Sequence, residues 1–100
     1  MSKLKITIKN KYGEEEVRRS KEITARDYRD FLVLRKKTES EEVDAVEVFD
    51  LELEFIVGLF EDVTVDELLD YTDYRQIYEI YLKVYEHLVG GGSDDEEGKK

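Results

Sequence analysis

The chain contains no cysteine. That excludes disulfides, thiolate nucleophiles and cysteine-ligated zinc, and it fits a chain kept in a reducing cytoplasm. It contains one histidine, His87, on the polar side of its segment, where a catalytic or metal-binding role would need converging groups at helical spacing. Of the six glycines only Gly13 and Gly58 precede residue 90, so there is no glycine-rich loop to cradle a phosphate. No apolar run approaches the roughly 18 residues of a membrane span. The opening Met-Ser-Lys-Leu-Lys-Ile lacks the apolar stretch of a signal peptide. The expectation is a soluble cytosolic protein with no membrane partner.

What is present sets further bounds. With 100 residues and 40% apolar content, the chain makes one domain that buries about 60 to 65% of its unfolded surface, which implies no cofactor pocket of any size. The carboxylates accompany charge-patterned helices and do not converge as an acid–base pair. Asp94-Asp95-Glu96-Glu97 lacks the alternating ligands and central glycine of a calcium loop. The reading is therefore non-enzymatic, with no catalytic, cofactor-binding or metal residues and no cofactor.

The net charge of −10 conceals a division. Residues 1–37 hold twelve Lys or Arg against six acids, giving +6, while residues 38–100 hold four against twenty, giving −16. An overall excess of this sign repels phosphate at long range, so nucleic acid is not the expected partner. The basic patch, Arg18, Arg19, Arg35, Lys36 and Lys37, suits an acidic protein or the acidic part of another copy; the alternative is a pair of solvated faces that keep the protein soluble.

Along the chain, Lys3 to Lys9 alternates, with Leu4, Ile6 and Ile8 on one side, as a half-buried strand does. Asn10-Lys11-Tyr12-Gly13 supplies turn chemistry. A weaker second strand over Glu14 to Ile23 follows; a four-residue loop would set Lys9 against Glu14 and Ile6 against Val17. Thr24 caps a helix predicted to reach about Lys37, with Ala25, Tyr28, Phe31 and Leu32 facing inward and Arg35-Lys36-Lys37 at the negative end of its dipole. Thr38 to Glu42 is a polar loop. Asp44 to Glu47 can cap reciprocally a helix ending near Phe60. It carries two apolar stripes, Val46, Phe49, Leu53, Ile56, Val57 and Phe60 on one side, Val48, Leu51, Phe55 and Leu59 on the other. A helix apolar on both sides is central to its bundle or shared with a partner. Thr64 to Glu67 opens a short helix through about Asp70, and Asp73 to Gln76 can cap a last helix that ends at Gly90-Gly91-Gly92. The fold class is α+β, an N-terminal β-hairpin packed on a small bundle of three to four helices. Residues 1–89 form the domain and 90–100 a disordered, flexible acidic tail.

The last helix carries the most informative pattern. Tyr74, Tyr78, Tyr81 and Tyr85 are spaced four, three, four, so their rings share one narrow strip. With Ile77, Ile80, Leu82, Val84, Leu88 and Val89 the apolar arc widens to roughly 200°, against about 100° for a helix that only seats on a core. Tyrosine buries a large ring while its hydroxyl still seeks water or an acceptor. The strip is either a contact face or a core helix whose hydroxyls reach outward. The candidate protein-binding residues are Tyr74, Tyr78, Tyr81 and Tyr85 with Val48, Leu51, Phe55 and Leu59 of the second stripe.

The segment Phe49 to Gly92 resembles the small tail assembly chaperones of long-tailed, non-contractile bacteriophages of Gram-positive hosts. The order of parts is similar to theirs: a lysine-rich hairpin, a helix like Ala25 to Arg29, an acidic loop, a helix like Leu51 to Phe60, a Thr-x-Asp-Glu-Leu-like start at Thr64 to Leu68, and a last helix closing in glycines. The resemblance implies a chaperone that coats the tape-measure protein, recruits tail-tube subunits, self-associates reversibly in the host cytoplasm and is absent from the mature virion. Two other readings fit the composition. One is a generic helical protein-binding adaptor; the other is an acidic inhibitor that imitates DNA, which the charge of residues 38–100 favours and the basic hairpin opposes.

Overall fold

The computed structural model describes residues 3–89; the expected flexible tail, 90–100, lies outside the described residues. Two antiparallel strands, β1 (Lys5–Lys9) and β2 (Glu15–Arg19), precede four helices, α1 (Ala25–Thr38), α2 (Ala45–Gly58), α3 (Val65–Tyr71) and α4 (Tyr74–Val89). The expected α+β hairpin-and-helices fold is the one observed.

The hairpin register differs from the expected one. Asn10 and Glu14 close the turn, with the Asn10 N–H donating to the Glu14 carbonyl at 2.9 Å, so only Lys11, Tyr12 and Gly13 remain in the loop. Gly13 takes φ 78°, the left-handed position that a three-residue hairpin loop requires. Lys9 therefore faces Glu15 and Thr7 faces Val17, while Ile6 and Ile8 face Arg18 and Glu16. A one-residue slip turns every side chain of a strand over. Val17, expected inward, is 56% exposed, and Glu16 and Arg18 take the inward side. Arg18 is satisfied there by Glu16 at 2.6 Å, Glu67 of α3 at 3.0 Å, and the Asp62 carbonyl.

β1 behaves as its alternation requires. Leu4, Ile6 and Ile8 are buried in a core with Leu53 and Ile56 of α2, Leu59, Phe60 and Val63 of the following turn, Leu68 of α3, and Ile77, Ile80 and Val84 of α4. Lys9 N–H donates to Thr72 Oγ1 at 3.0 Å and Gln76 Nε2 donates to the Thr7 carbonyl at 2.7 Å, so the start of α4 is tied to the outer edge of β1.

The helices begin where capping chemistry places them. The Asp27 carboxylate accepts from the Thr24 N–H at 2.8 Å, Asp44 accepts from the Glu47 N–H at 2.9 Å, Thr64 and Glu67 form a reciprocal capping box, and Asp73 accepts from the Gln76 N–H at 2.9 Å. At Asp44 only one half of the expected reciprocal cap forms. At Asp73 the N3 side chain, Gln76, reaches the hairpin and not its own cap.

α1 sits rotated from expectation. Asp27, Phe31 and Leu34 face inward, whereas Ala25, Tyr28 and Leu32 are exposed. Apolarity alone pointed to the wrong face because Asp27 is turned inward by its bonds to Thr24 and to Lys21 Nζ at 3.0 Å. Residues 31 and 34 then follow at helical spacing. The central helix α2 packs against α1, α3 and α4, as a helix apolar on both sides should.

Candidate partner-binding face

α4 seats on the core through Ile77, Ile80 and Val84. One edge of that buried stripe carries the tyrosine strip, and the structure divides it in two. Tyr74 is 66% and Tyr78 50% exposed, and their rings stack at 6.3 Å with Phe49 of α2 against Tyr74 at 5.9 Å. Tyr81 and Tyr85 are half-buried. They lie 6.5 and 5.6 Å from the ring of Phe31, which is fully buried and also meets Phe55 at 5.8 Å. The Arg35 guanidinium covers the Phe31 and Tyr85 rings at 6.0 and 5.7 Å, within the range of a cation–π contact, and pairs with Glu39 at 3.3 Å. α1 is thus clamped over the C-terminal half of the strip by one phenylalanine and one arginine, and the N-terminal half is left open.

The second stripe of α2 is largely used within the molecule. Phe55 packs on Phe31, Val48 and Leu51 are half-buried, and Leu59 is 2% exposed and belongs to the core, with no surface to offer a partner. The basic residues are likewise separated by their commitments. Arg18 is held between Glu16 and Glu67, Arg35 lies over the aromatic cluster, and Arg19, Lys36 and Lys37 are exposed.

Two residues of the open face were missed in the sequence as individual members. Leu82 and Val89 are 39% and 43% exposed, and with Tyr78 and the half-buried Tyr85, whose ring is shared with α1, they make a second run spaced four, three, four. Such a 3.5-residue repeat keeps a seam facing a partner helix. The signal was present in the spacing but was absorbed into the wide arc. Glu79 and Glu86 are exposed on the side of this seam away from the core.

The electrostatics of the covered half are distinctive. Burial pushes the Glu52 carboxyl above its ordinary range. Burial likewise raises the Tyr81 phenol, the Glu52 charge adds to that shift, and Arg35 opposes it. The Tyr81 phenol and the Arg35 guanidinium therefore lie beside the Phe31 ring, and the Glu52 charge acts on the phenol. Among the described residues no group of three His, Asp or Glu is placed to hold a metal ion, and no helix is long and apolar enough to cross a membrane.

A hairpin and four capped helices carrying an exposed aromatic seam make a small α+β domain. The family model described as phage tail chaperone protein matches residues 1–100, and the chain belongs to that family. No curated protein and no solved structure matches it.

Proposed function

We propose that this phage tail chaperone captures amphipathic helices of the tape-measure protein on the seam of α4, with Phe49, Tyr74, Tyr78, Leu82 and Val89 as the contact residues. The observation that carries the reading is the stacked, exposed pair Tyr74–Tyr78 beside Phe49, which continues along the helix at coiled-coil spacing. Exposed aromatic rings offer large contact area with few rotors to immobilise, and a helix laid in such a seam is read through its own i, i+3, i+4, i+7 residues with little demand on sequence. That tolerance suits a long repetitive client. Recruitment of tail-tube subunits, action in the host cytoplasm and departure before the virion matures complete the proposed role, which needs no catalysis, cofactor, nucleic acid or membrane.

The test is co-expression of the tape-measure protein with the Tyr74→Ser, Tyr78→Ser double variant. Aromatic anchors of this kind cost about 2 kcal/mol of binding each on truncation, so the expected outcome is loss of soluble tape-measure protein and of co-purification, with the thermal midpoint of the chaperone nearly unchanged. Full retention of capture by the folded variant would sink the assignment of this face.

A further inference from the structure

Along Glu15–Arg19 no described strand pairs with the outer edge of β2; the turn after α2 meets the chain just beyond it, where the Lys21 N–H donates to the Leu59 carbonyl at 2.8 Å. β1 has its far side tied to Thr72 and Gln76, whereas the sheet has two strands only. Hydrogen-bonding phase fixes which groups β2 presents. The bonds from Asn10 N–H to the Glu14 carbonyl and from Ser20 N–H to the Leu4 carbonyl mark the ends of the ladder. With the observed register, alternation makes Glu16 and Arg18 the residues bonded to β1. The N–H and C=O groups of Glu15, Val17 and Arg19 therefore point away from β1, toward solvent.

The sequence of this strand, Glu15-Glu16-Val17-Arg18-Arg19, is self-complementary in charge when read against itself in the opposite direction. We propose that β2 pairs antiparallel with β2 of a second copy about a two-fold axis at Val17, giving a continuous four-stranded sheet. Val17 then meets Val17 of the other copy once, on the axis, while Glu15 meets Arg19 and Glu16 meets Arg18, each of these twice by symmetry. Phase permits this register, because residues 15, 17 and 19 all offer outward backbone groups, and pairs of such residues are the hydrogen-bonded ones in an antiparallel ladder. The neighbouring registers with the same phase set Glu16 against Glu16 or Arg18 against Arg18, and like charges directly opposite are destabilising. Charge and phase together select a single alignment.

Two further observations fit the same occupant. Val17 is 56% exposed, an apolar β-branched residue at the centre of an otherwise charged edge. Arg19 lies opposite Lys5, and neither makes an ion pair among the described residues, so the outer face holds two adjacent cations that Glu15 of a second copy would offset. The charged edge resists pairing with unrelated strands, as natural edges do, while admitting its own copy in one isologous arrangement. None of these residues belongs to the α4 seam, so this assignment stands apart from tape-measure capture.

The test uses the full chain and two variants, Glu15→Arg and Arg19→Glu, both changes at exposed positions, with circular dichroism confirming the fold. Sedimentation should show a dimer for the natural chain, weakening as salt rises toward about 1 M, where charge screening shortens to about 3 Å. Each variant alone places like charges opposite each other twice and should dimerise roughly 100-fold more weakly or less. Mixed in equal amounts, the two variants should form a one-to-one heterodimer, because every outer-face pair is again of opposite sign. A natural chain that stays monomeric, single variants that dimerise as well as it does, or a mixture that remains monomeric would each overturn the proposal.

Discussion

Tyr74 and Tyr78 share a strip of α4 with Tyr81 and Tyr85, yet the first pair stands in solvent and the second is packed beneath α1. The difference does not lie in α4. It lies in Phe31, which reaches across from α1 to meet Phe55, Tyr81 and Tyr85, and in Arg35, which closes over the Phe31 and Tyr85 rings. Identical residues at identical spacing are buried differently because α1 covers one end of the strip and leaves the other, which meets only Phe49, largely exposed. The covered end holds α1 in place; the exposed end is the face proposed for the partner.

The strongest way to break this comparison is to remove the cover. Phe31 is fully buried and meets three rings, so Phe31→Ala should cost about 3–5 kcal/mol of stability. It should also increase the solvent accessibility of Tyr81 and Tyr85, read by tyrosine fluorescence quenching. A thermal midpoint lowered by less than a few degrees would mean that α1 is held elsewhere.

A smaller effect sharpens the comparison directly. Tyr85→Ser removes a half-buried ring and should cost about 1–3 kcal/mol, whereas Tyr78→Ser, at the open end, should cost less than about 1 kcal/mol. Thermal unfolding of the two single variants, side by side, measures the asymmetry. Equal losses would show that the strip behaves as one surface after all.

The sequence made the framework readable where local chemistry decides it. Strand alternation placed Leu4, Ile6 and Ile8 in the core, and the caps at Thr24, Asp44, Thr64 and Asp73 marked four helix starts. What escaped depends on contacts distant in the chain or on a single residue of loop length. The Asn10–Glu14 closure displaced the hairpin register by one and exposed Val17. Asp27, absent from the apolar face expected to turn inward, is buried because Lys21 and the Thr24 N–H satisfy it. The second stripe of α2 was visible as apolar, but nothing in its periodicity could say that α1 would take Phe55 or that Leu59 would be sealed in the core. Leu82 and Val89 were legible as a 3.5-residue repeat with the tyrosines and were hidden only by the breadth of the arc.

A pH series separates two carboxylates, Asp27 of α1 and Glu52 of α2, whose pKa values are shifted in opposite directions. At Asp27, burial works to raise the pKa, but the Thr24 N–H and Lys21 outweigh it and hold the carboxyl below its ordinary value. A depressed folded pKa contributes stability above the unfolded value near pH 4, and that stability is lost as pH falls through the folded pKa. At Glu52 burial alone raises the pKa. Its contribution is therefore complete below an unfolded value near pH 4 and is lost as pH rises through the folded pKa, so at neutral pH the ionised Glu52 works against the fold. Asp27→Asn should accordingly destabilise the protein at pH 7 by about 1–2 kcal/mol, the scale of a lost cap and a charge-assisted hydrogen bond, with the difference shrinking in acid. Glu52→Gln should raise the thermal midpoint slightly at pH 7, and that gain should vanish below about pH 4, where the natural side chain is protonated in both states. Thermal melts of both variants from acid to neutral pH decide the matter. A Glu52→Gln variant less stable than the natural chain at neutral pH would show that the carboxylate has a stabilising partner and overturn the assignment.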